Sequence, residues 1–162
     1  MRPIFLFDLD DTTVSSHHRQ RFNADGSIDL PFWRAFNTAA NIMRDSMLPL
    51  ARVMIKGIAD DRDVGILTSR VMGKADIAWL EQRGMLPSTV YSRDINDQRS
   101  TGEYKLARLH DLAVDRGLAW REVQRRVILW DDCKNVQFVL RKAGIRVIDP
   151  VNFNQTQAEK IA

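Results

Sequence analysis

Ile4-Phe5-Leu6-Phe7-Asp8-Leu9-Asp10-Asp11-Thr12 is the stretch from which the rest of the chain can be read. Four apolar residues run into three carboxylates and a hydroxyl. An apolar run this short, with no polar face, reads as a strand buried on both sides. The carboxylates then lie where that strand leaves the core. Grouped there they repel one another, and a bound divalent cation is the natural offset. Asp8 and Asp10 flank Leu9. Residues two apart in extended backbone share a side, so both carboxylates are expected to reach one reacting centre.

Working outward, the same pattern returns. Val64-Gly65-Ile66-Leu67 is a second apolar run, ending in Thr68-Ser69-Arg70. Thr89-Val90-Tyr91 is a short third. Val127-Ile128-Leu129-Trp130 is a fourth, ending in Asp131-Asp132, and Ile145 to Ile148 is a fifth, closed by Asp149-Pro150. Between them lie segments of helical periodicity. One is expected from Asp29 and Pro31 through Met43, the next over Leu50 to Ile58, then Ala75 to Arg83, Glu103 to Arg116 and Lys134 to Ala143, with a short turn at Trp120 to Gln124. Gly84, Gly117 and Gly144 stand as helix stops. Ser15 to Gly26 and Ser92 to Gly102 read as loops.

Strands alternating with helices predict an α/β fold: a Rossmann-like three-layer sandwich around a five-stranded parallel sheet. A single domain is expected over residues 1–162. Residues 14–46 form a small helical flap or insert, too short for an independent cap domain, and 151–162 a loose tail.

Composition sets the outer bounds. The chain has 162 residues, 44% hydrophobic and 28% charged, as ordinary globular proteins have. Its one cysteine, Cys133, allows no internal disulfide and suits a reducing compartment. No charged start leads into an apolar core, so no signal peptide is expected. No apolar run approaches the roughly 20 residues of a membrane helix. The expected place is the cytoplasm. A net charge of +3 is a small excess, and reads first as a mildly basic surface.

In a parallel sheet all strands end on one side, and ligands bind there. Asp8 to Thr12, Thr68 to Arg70 and Asp131-Asp132 can therefore meet in one crevice. Asp8, Asp10 and Asp131 or Asp132 offer hard oxygen ligands that suit Mg²⁺. No Cys/His pair has the spacing of a zinc site. Thr68 adds a hydroxyl, and Lys105, expected in the first turn of its helix, adds a cation. An anion pocket beside a metal describes phosphoryl transfer. One carboxylate of the Asp8/Asp10 pair can attack phosphorus while the other moves a proton.

On these residues the chain resembles the haloacid dehalogenase superfamily of phosphohydrolases. Asp8-Leu9-Asp10-Asp11-Thr12 matches its first motif, Thr68 its second, Lys105 its third, and Asp131-Asp132 with Asn135 its fourth. The family usually has glycine where Asp11 stands. Within it the chain is similar to the capless 3′-phosphatase domain of phage polynucleotide kinase/phosphatase and related small phage phosphatases, through Thr68-Ser69-Arg70 and Ser100-Thr101-Gly102-Glu103-Tyr104-Lys105. The resemblance implies an Asp8 nucleophile that also binds metal, with Asp10 as general acid/base and metal ligand through its backbone carbonyl. It implies Thr68 and Lys105 on the phosphate, and Asp131 and Asp132 at the metal, one of them directly. Thr12, Ser69, Arg70 and Arg19 are the expected substrate contacts. The implied reaction is Mg²⁺-dependent hydrolysis of a phosphomonoester through an aspartyl-phosphate, with a nucleotide or nucleic-acid 3′-phosphate first in line. The rivals are a small-molecule nucleotidase or sugar phosphatase, and a non-catalytic phosphorelay receiver. The last needs a lone aspartate after a middle strand, where this chain has a pair after the fourth.

Overall fold

The computed structural model describes residues 2–25 and 28–160. Gly26, at the end of the first expected loop, and the final two residues of the expected tail lie outside the described residues. Five parallel strands form the central sheet: β1 (Ile4–Phe7), β4 (Val64–Leu67), β5 (Thr89–Tyr91), β6 (Val127–Trp130) and β7 (Arg146–Ile148). Their order is β5-β4-β1-β6-β7, so the opening stretch lies at the centre. Phe7 pairs with Ile66 on one side and Trp130 on the other, which brings the ends of β1, β4 and β6 together.

Each face of the sheet carries its own core, and the pleat of β1 divides them. Ile4 and Leu6 point into a cluster with Leu109, Leu112, Val136 and Leu140, under the helices α5 (Thr101–Asp115) and α7 (Lys134–Lys142). Phe5 and Phe7 point the other way, onto Leu50, Met54, Trp79 and Leu80 of α3 (Leu50–Ala59) and α4 (Lys74–Gln82). Both faces of a parallel strand are covered, which is why β1 is apolar at every position. A short helix, α6 (Trp120–Arg126), precedes β6. Gly84, Gly117 and Gly144 all adopt positive φ, as the helix stops require.

Three expectations are corrected. The single helix from Pro31 to Met43 is two, α1 (Leu30–Phe36) and α2 (Ala39–Ile42). Asn37 leaves helical geometry and the Thr38 hydroxyl caps Asn41, so two residues that compete for backbone bonds break the run. The helix carrying Lys105 starts at Thr101, two residues early, because Ser100 and Glu103 form a reciprocal cap. Lys105 is therefore two positions further in, in the second turn. The tail is a helix, α8 (Val151–Glu159), in its described part. Asp149 Oδ1 accepts the Val151 N–H at its start, and Asn154 is buried.

The segment between β1 and α3 is drawn shut by a two-stranded antiparallel ribbon, β2 (Val14–Ser15) with β3 (Ser46–Met47). It holds α1, α2 and a single turn at His17–Arg19. Among the described residues no helix is long and apolar enough to cross a membrane.

Candidate active site

The chain turns sharply after β1. Asp8 N–H still bonds to Trp130 O, extending the ladder by one residue (3.0 Å). Then the Leu9 carbonyl accepts three N–H groups, those of Thr12, Thr13 and Val14. Such a tight coil needs a left-handed residue, and Asp11 supplies it with φ 57°. Glycine fits that conformation most easily, and aspartate is among the side chains that tolerate it. The turn is braced from two sides. Thr13 Oγ1 donates to Asp8 O (2.7 Å), and Asn154 Nδ2 of α8 donates to Thr12 O (2.9 Å).

Because the backbone leaves the extended form here, Asp8 and Asp10 do not share partners. Asp8 points to Lys105, whose ammonium donates to Asp8 Oδ1 (2.7 Å) and Asp131 Oδ2 (2.5 Å). Asp131 Oδ1 also accepts the Cys133 N–H, and Gln137 holds the Asp131 carbonyl. Asp132 is tied to Thr12: its N–H donates to Thr12 Oγ1, which donates back to Asp132 Oδ1 (3.0 Å). Asp8, Asp131 and Asp132 each bring a carboxylate oxygen within 4.8 Å of the others. Three carboxylates against one ammonium leave two negative charges. Burial pushes the Asp8 carboxyl up to about 7, with Lys105 opposing, and pushes Asp132 up to about 6, helped by the charge of Asp8. Burial raises Asp131 too, against Lys105. Burial pulls the Lys105 ammonium down, but Asp131 and Asp8 outweigh it and hold the ammonium well above its ordinary range. A hard divalent cation fits this all-oxygen donor set and its unbalanced charge.

Asp10 has a different set of partners. Arg70 forks onto it through Nε (3.0 Å) and Nη2 (2.5 Å), and Ser16 Oγ donates to it (2.5 Å). Burial would raise Asp10, but Arg70 outweighs it and brings the carboxyl to about 2. Arg70 Nη1 reaches on to Asp76 (2.9 Å) and Asp45 (3.3 Å). Arg19 forks onto the same Asp45 (2.8 and 2.7 Å) and gives Nη1 to Asn37.

Three of the expected substrate contacts have partners within the fold. Arg19 is fully buried and spent on Asp45, so it stands behind the site. Arg70, also buried, has its guanidinium taken by Asp10, Asp45 and Asp76. Thr12 is fully buried and serves Asp132. As a metal ligand, Asp10 is left only its backbone carbonyl, since its side chain lies outside the carboxylate cluster. Thr68 does sit at the end of β4, its N–H on Tyr91 O (2.9 Å) and its hydroxyl oxygen accepting the Arg70 N–H (3.2 Å), so its own proton is free to donate. Ser69 is half-buried at the rim, where Arg93 Nη2 approaches its hydroxyl (3.4 Å). His17 pairs with Asp11 (3.1 Å) away from the carboxylate cluster.

Sequence reasoning missed Asp45, Ser16, Asp76, Asn154 and Gln137. All five act by bonding another site residue, and none stands at the end of a central-sheet strand, so no motif marks them. Gly102 did leave a trace in the quoted segment before Lys105. A Cβ there would lie 2.7 Å from Val139 and 2.9 Å from Asn135 Oδ1, which accepts the Gly102 N–H. Its small size lets α5 approach α7.

Among solved structures, a haloacid dehalogenase-like family hydrolase from Streptococcus pneumoniae is similar at 14% identity and TM-score 0.64, over 90% of this chain and 83% of that one. A HAD-superfamily hydrolase from Geobacter sulfurreducens is similar at 11% identity and TM-score 0.64, over 91% and 88%. A chain of the Pnkp1/Rnl/Hen1 RNA repair complex is similar at 18% identity and TM-score 0.55, over 92% of this chain and 42% of that one. These likenesses establish the haloacid dehalogenase-like fold. No curated protein sequence matches. The sequence model of one family, described as bacteriophage T5 5′-deoxynucleotidase, matches residues 1–159. The chain therefore belongs to the bacteriophage T5 5′-deoxynucleotidase family and is a phosphohydrolase of the haloacid dehalogenase-like fold.

Proposed function

We propose that the protein is a Mg²⁺-dependent phosphatase of 2′-deoxynucleoside 5′-monophosphates, acting through an aspartyl-phosphate on Asp8. The observation that carries the reading is the Asp8–Lys105–Asp131–Asp132 group, with its surplus of negative charge, at the same end of the sheet as Thr68. Family membership favours a free nucleotide over the nucleic-acid 3′-phosphate expected from the resemblance.

Asp8, Asp131 and Asp132 would hold the metal, which supplies charge neutralisation at the transferring phosphoryl group and keeps the Asp8 carboxyl ionised. Lys105 fixes the orientation of Asp8 and of Asp131. Asp8 attacks phosphorus as the bond to the nucleoside 5′-oxygen breaks. Thr68 and Lys105 donate to the phosphoryl oxygens. Asp10 starts ionised on Arg70. The charge of an incoming phosphate beside it raises its proton affinity, so that it takes up a proton from solvent as substrate binds, and the protonated carboxyl then gives that proton to the leaving oxygen. In the second half Asp10 takes a proton from water, and that water attacks the aspartyl-phosphate, releasing inorganic phosphate and restoring Asp8.

The test is phosphate release with Mg²⁺ from four deoxynucleoside 5′-monophosphates, a 3′-phosphorylated oligodeoxynucleotide and p-nitrophenyl phosphate. The reading expects the 5′-monophosphates to give the highest kcat/KM. Preference for the oligonucleotide end would replace the substrate and keep the chemistry. An Asp8→Asn protein as fast as the parent on p-nitrophenyl phosphate would remove the mechanism.

A further inference from the structure

Ser16 stands between β2 (Val14–Ser15) and the single turn at His17–Arg19. The backbone fixes it there from both sides. Ser15 pairs with Ser46 across the ribbon, and the Asp11 N–H donates to Val14 O (2.9 Å), which folds the ribbon back on the turn after Asp8. The Ser16 carbonyl then accepts the Arg19 N–H (3.0 Å) and closes the single turn. The Ser16 side chain is fully buried, shut off from bulk water.

Its hydroxyl has two partners, and they fix its direction. Asp10 is ionised against Arg70 and can only accept, so at 2.5 Å the Ser16 proton must lie toward Asp10 Oδ1. The Ser16 oxygen is then left as an acceptor, and Gln20 Nε2 donates to it (2.8 Å). Gln20 keeps this orientation although its own Oε1 is buried with no partner among the described residues.

The two oxygens of Asp10 are consequently unequal. Each carboxylate oxygen offers about two lone-pair sites. Arg70 alone would treat them alike, with Nη2 on Oδ1 (2.5 Å) and Nε on Oδ2 (3.0 Å). The Ser16 hydroxyl breaks that symmetry. Oδ1 accepts two donors and is filled, whereas Oδ2 accepts one among the described residues and keeps a site open. The Asp10 side chain is still 27% exposed, so these donors do not seal it in.

We propose that Ser16 is a positioning residue for proton transfer to the leaving oxygen: held by Gln20, it fills Asp10 Oδ1 and so makes Oδ2 the oxygen that exchanges a proton with the substrate. The proposal rests on the reading of Asp10 as general acid/base. The proton that Asp10 takes from solvent as substrate binds sits on Oδ2. It passes to the leaving oxygen as the bond to phosphorus breaks, and the attacking water later returns one to Oδ2. Ser16 keeps its own proton throughout.

Dependence on the leaving group reads this role. A positioned acid matters most where the leaving oxygen is most basic. Two substrates serve, p-nitrophenyl phosphate and phenyl phosphate, which share a ring and differ in the acidity of the phenol released. With Mg²⁺, kcat/KM reports the steps through loss of that phenol, so hydrolysis of the aspartyl-phosphate cancels. The ratio of the two values is internal to each protein, and a structural defect that slows both esters alike leaves it unchanged. Ser16→Ala should raise the preference for the nitrophenyl ester about fivefold. Gln20→Met, which keeps the length of the side chain and loses the amide, should raise it about twofold, and Asp10→Asn more than either. Ser16→Ala added to Asp10→Asn should raise it no further. A parental ratio in Ser16→Ala, with a raised one in Asp10→Asn, overturns the positioning role and leaves Asp10 as the acid. So does a fivefold rise that persists on the Asp10→Asn background. Gln20 is half-buried, and if Ser16→Ala does not fold, a parental ratio in Gln20→Met is the overturning result. A ratio unchanged by Asp10→Asn removes the reading of Asp10 and the proposal with it.

Discussion

Asp8 and Asp10 are the same residue type two positions apart, and the molecule treats them in opposite ways. Around Asp8, three carboxylates share one ammonium, and burial lifts Asp8 to about 7. Around Asp10, each of the three carboxylates has a guanidinium: Arg70 serves Asp10, Asp45 and Asp76, and Arg19 serves Asp45. Despite its burial, Asp10 comes down to about 2 because of Arg70. One region, with three carboxylates to one ammonium, is short of two positive charges. The other, with three carboxylates to two guanidinium groups, is short of one. On the proposed mechanism the nucleophile works beside a metal in the first, and the carboxylate that changes partners during the cycle waits in the second.

The largest contrast is in substitution. Asp8→Asn should lower kcat on p-nitrophenyl phosphate by roughly 10⁴-fold or more, since it removes the nucleophile. It should also stabilise the metal-free protein at pH 8, by roughly 1–4 kcal/mol, because a neutral amide escapes the cost of ionising a carboxyl whose pKa burial has raised. On the other side, Asp45→Ala should destabilise by about 3–5 kcal/mol, since Arg19 and Arg70 are left buried without it. Urea unfolding of both variants in EDTA reads the two signs. A destabilised Asp8→Asn, or an Asp45→Ala as stable as the parent, would dissolve the distinction between the regions.

Acidity gives the next test. The raised Asp8 and Asp132 carboxyls bind protons more tightly in the folded state than in the unfolded chain. Metal-free stability should therefore fall as pH rises from about 4 through 6 and 7. The lowered Asp10 has the opposite sense: its contribution is present above about 4 and is lost as pH falls towards 2. Protons compete with a cation for Asp8 and Asp132, so the rise in Tm caused by Mg²⁺ should grow from pH 5 to pH 8. Asp8→Asn should flatten the 4-to-7 slope and leave the acid limb unchanged. A Mg²⁺ effect that does not vary with pH would mean the ion binds elsewhere.

The difference between the regions also explains what the sequence disclosed. The three central strands could be read because each is an unbroken apolar run, and the sheet's geometry then placed Asp8, Thr68 and Asp131-Asp132 at one end of it. Lys105 could be read as a cation in the first turn of its helix, and the resemblance then singled it out among the lysines. Asp45 could not be read, because its work is to hold two arginines that are themselves out of contact with the site's mouth. The partners of Arg19 and Arg70 could not be read for the same reason: a guanidinium near a phosphate pocket and one buried beneath it have the same letter. Asn154 was lost in a segment of weak periodicity, yet it ties α8 to the Thr12 carbonyl and to the Leu50 N–H.

The smallest predicted effect concerns the residue between the regions. Asp11 takes φ 57° in the turn that follows Asp8 and Asp10, whose carboxylates have different partners. A β-branched side chain resists that conformation, whereas glycine accepts it. Asp11→Val should therefore cost about 1–2 kcal/mol relative to Asp11→Gly. Asp11→Gly should stay within about 1 kcal/mol of the parent, because relief of strain is offset by the greater freedom of the unfolded glycine chain and by loss of the His17 contact. If the turn is what separates the two carboxylates, Asp11→Val should also weaken the Mg²⁺-induced rise in Tm, by displacing Asp8 from Asp131 and Asp132, and Asp11→Gly should keep it. An Asp11→Val protein with parental stability and parental response to Mg²⁺ would show that the two regions are set apart by their partners alone, with the backbone following.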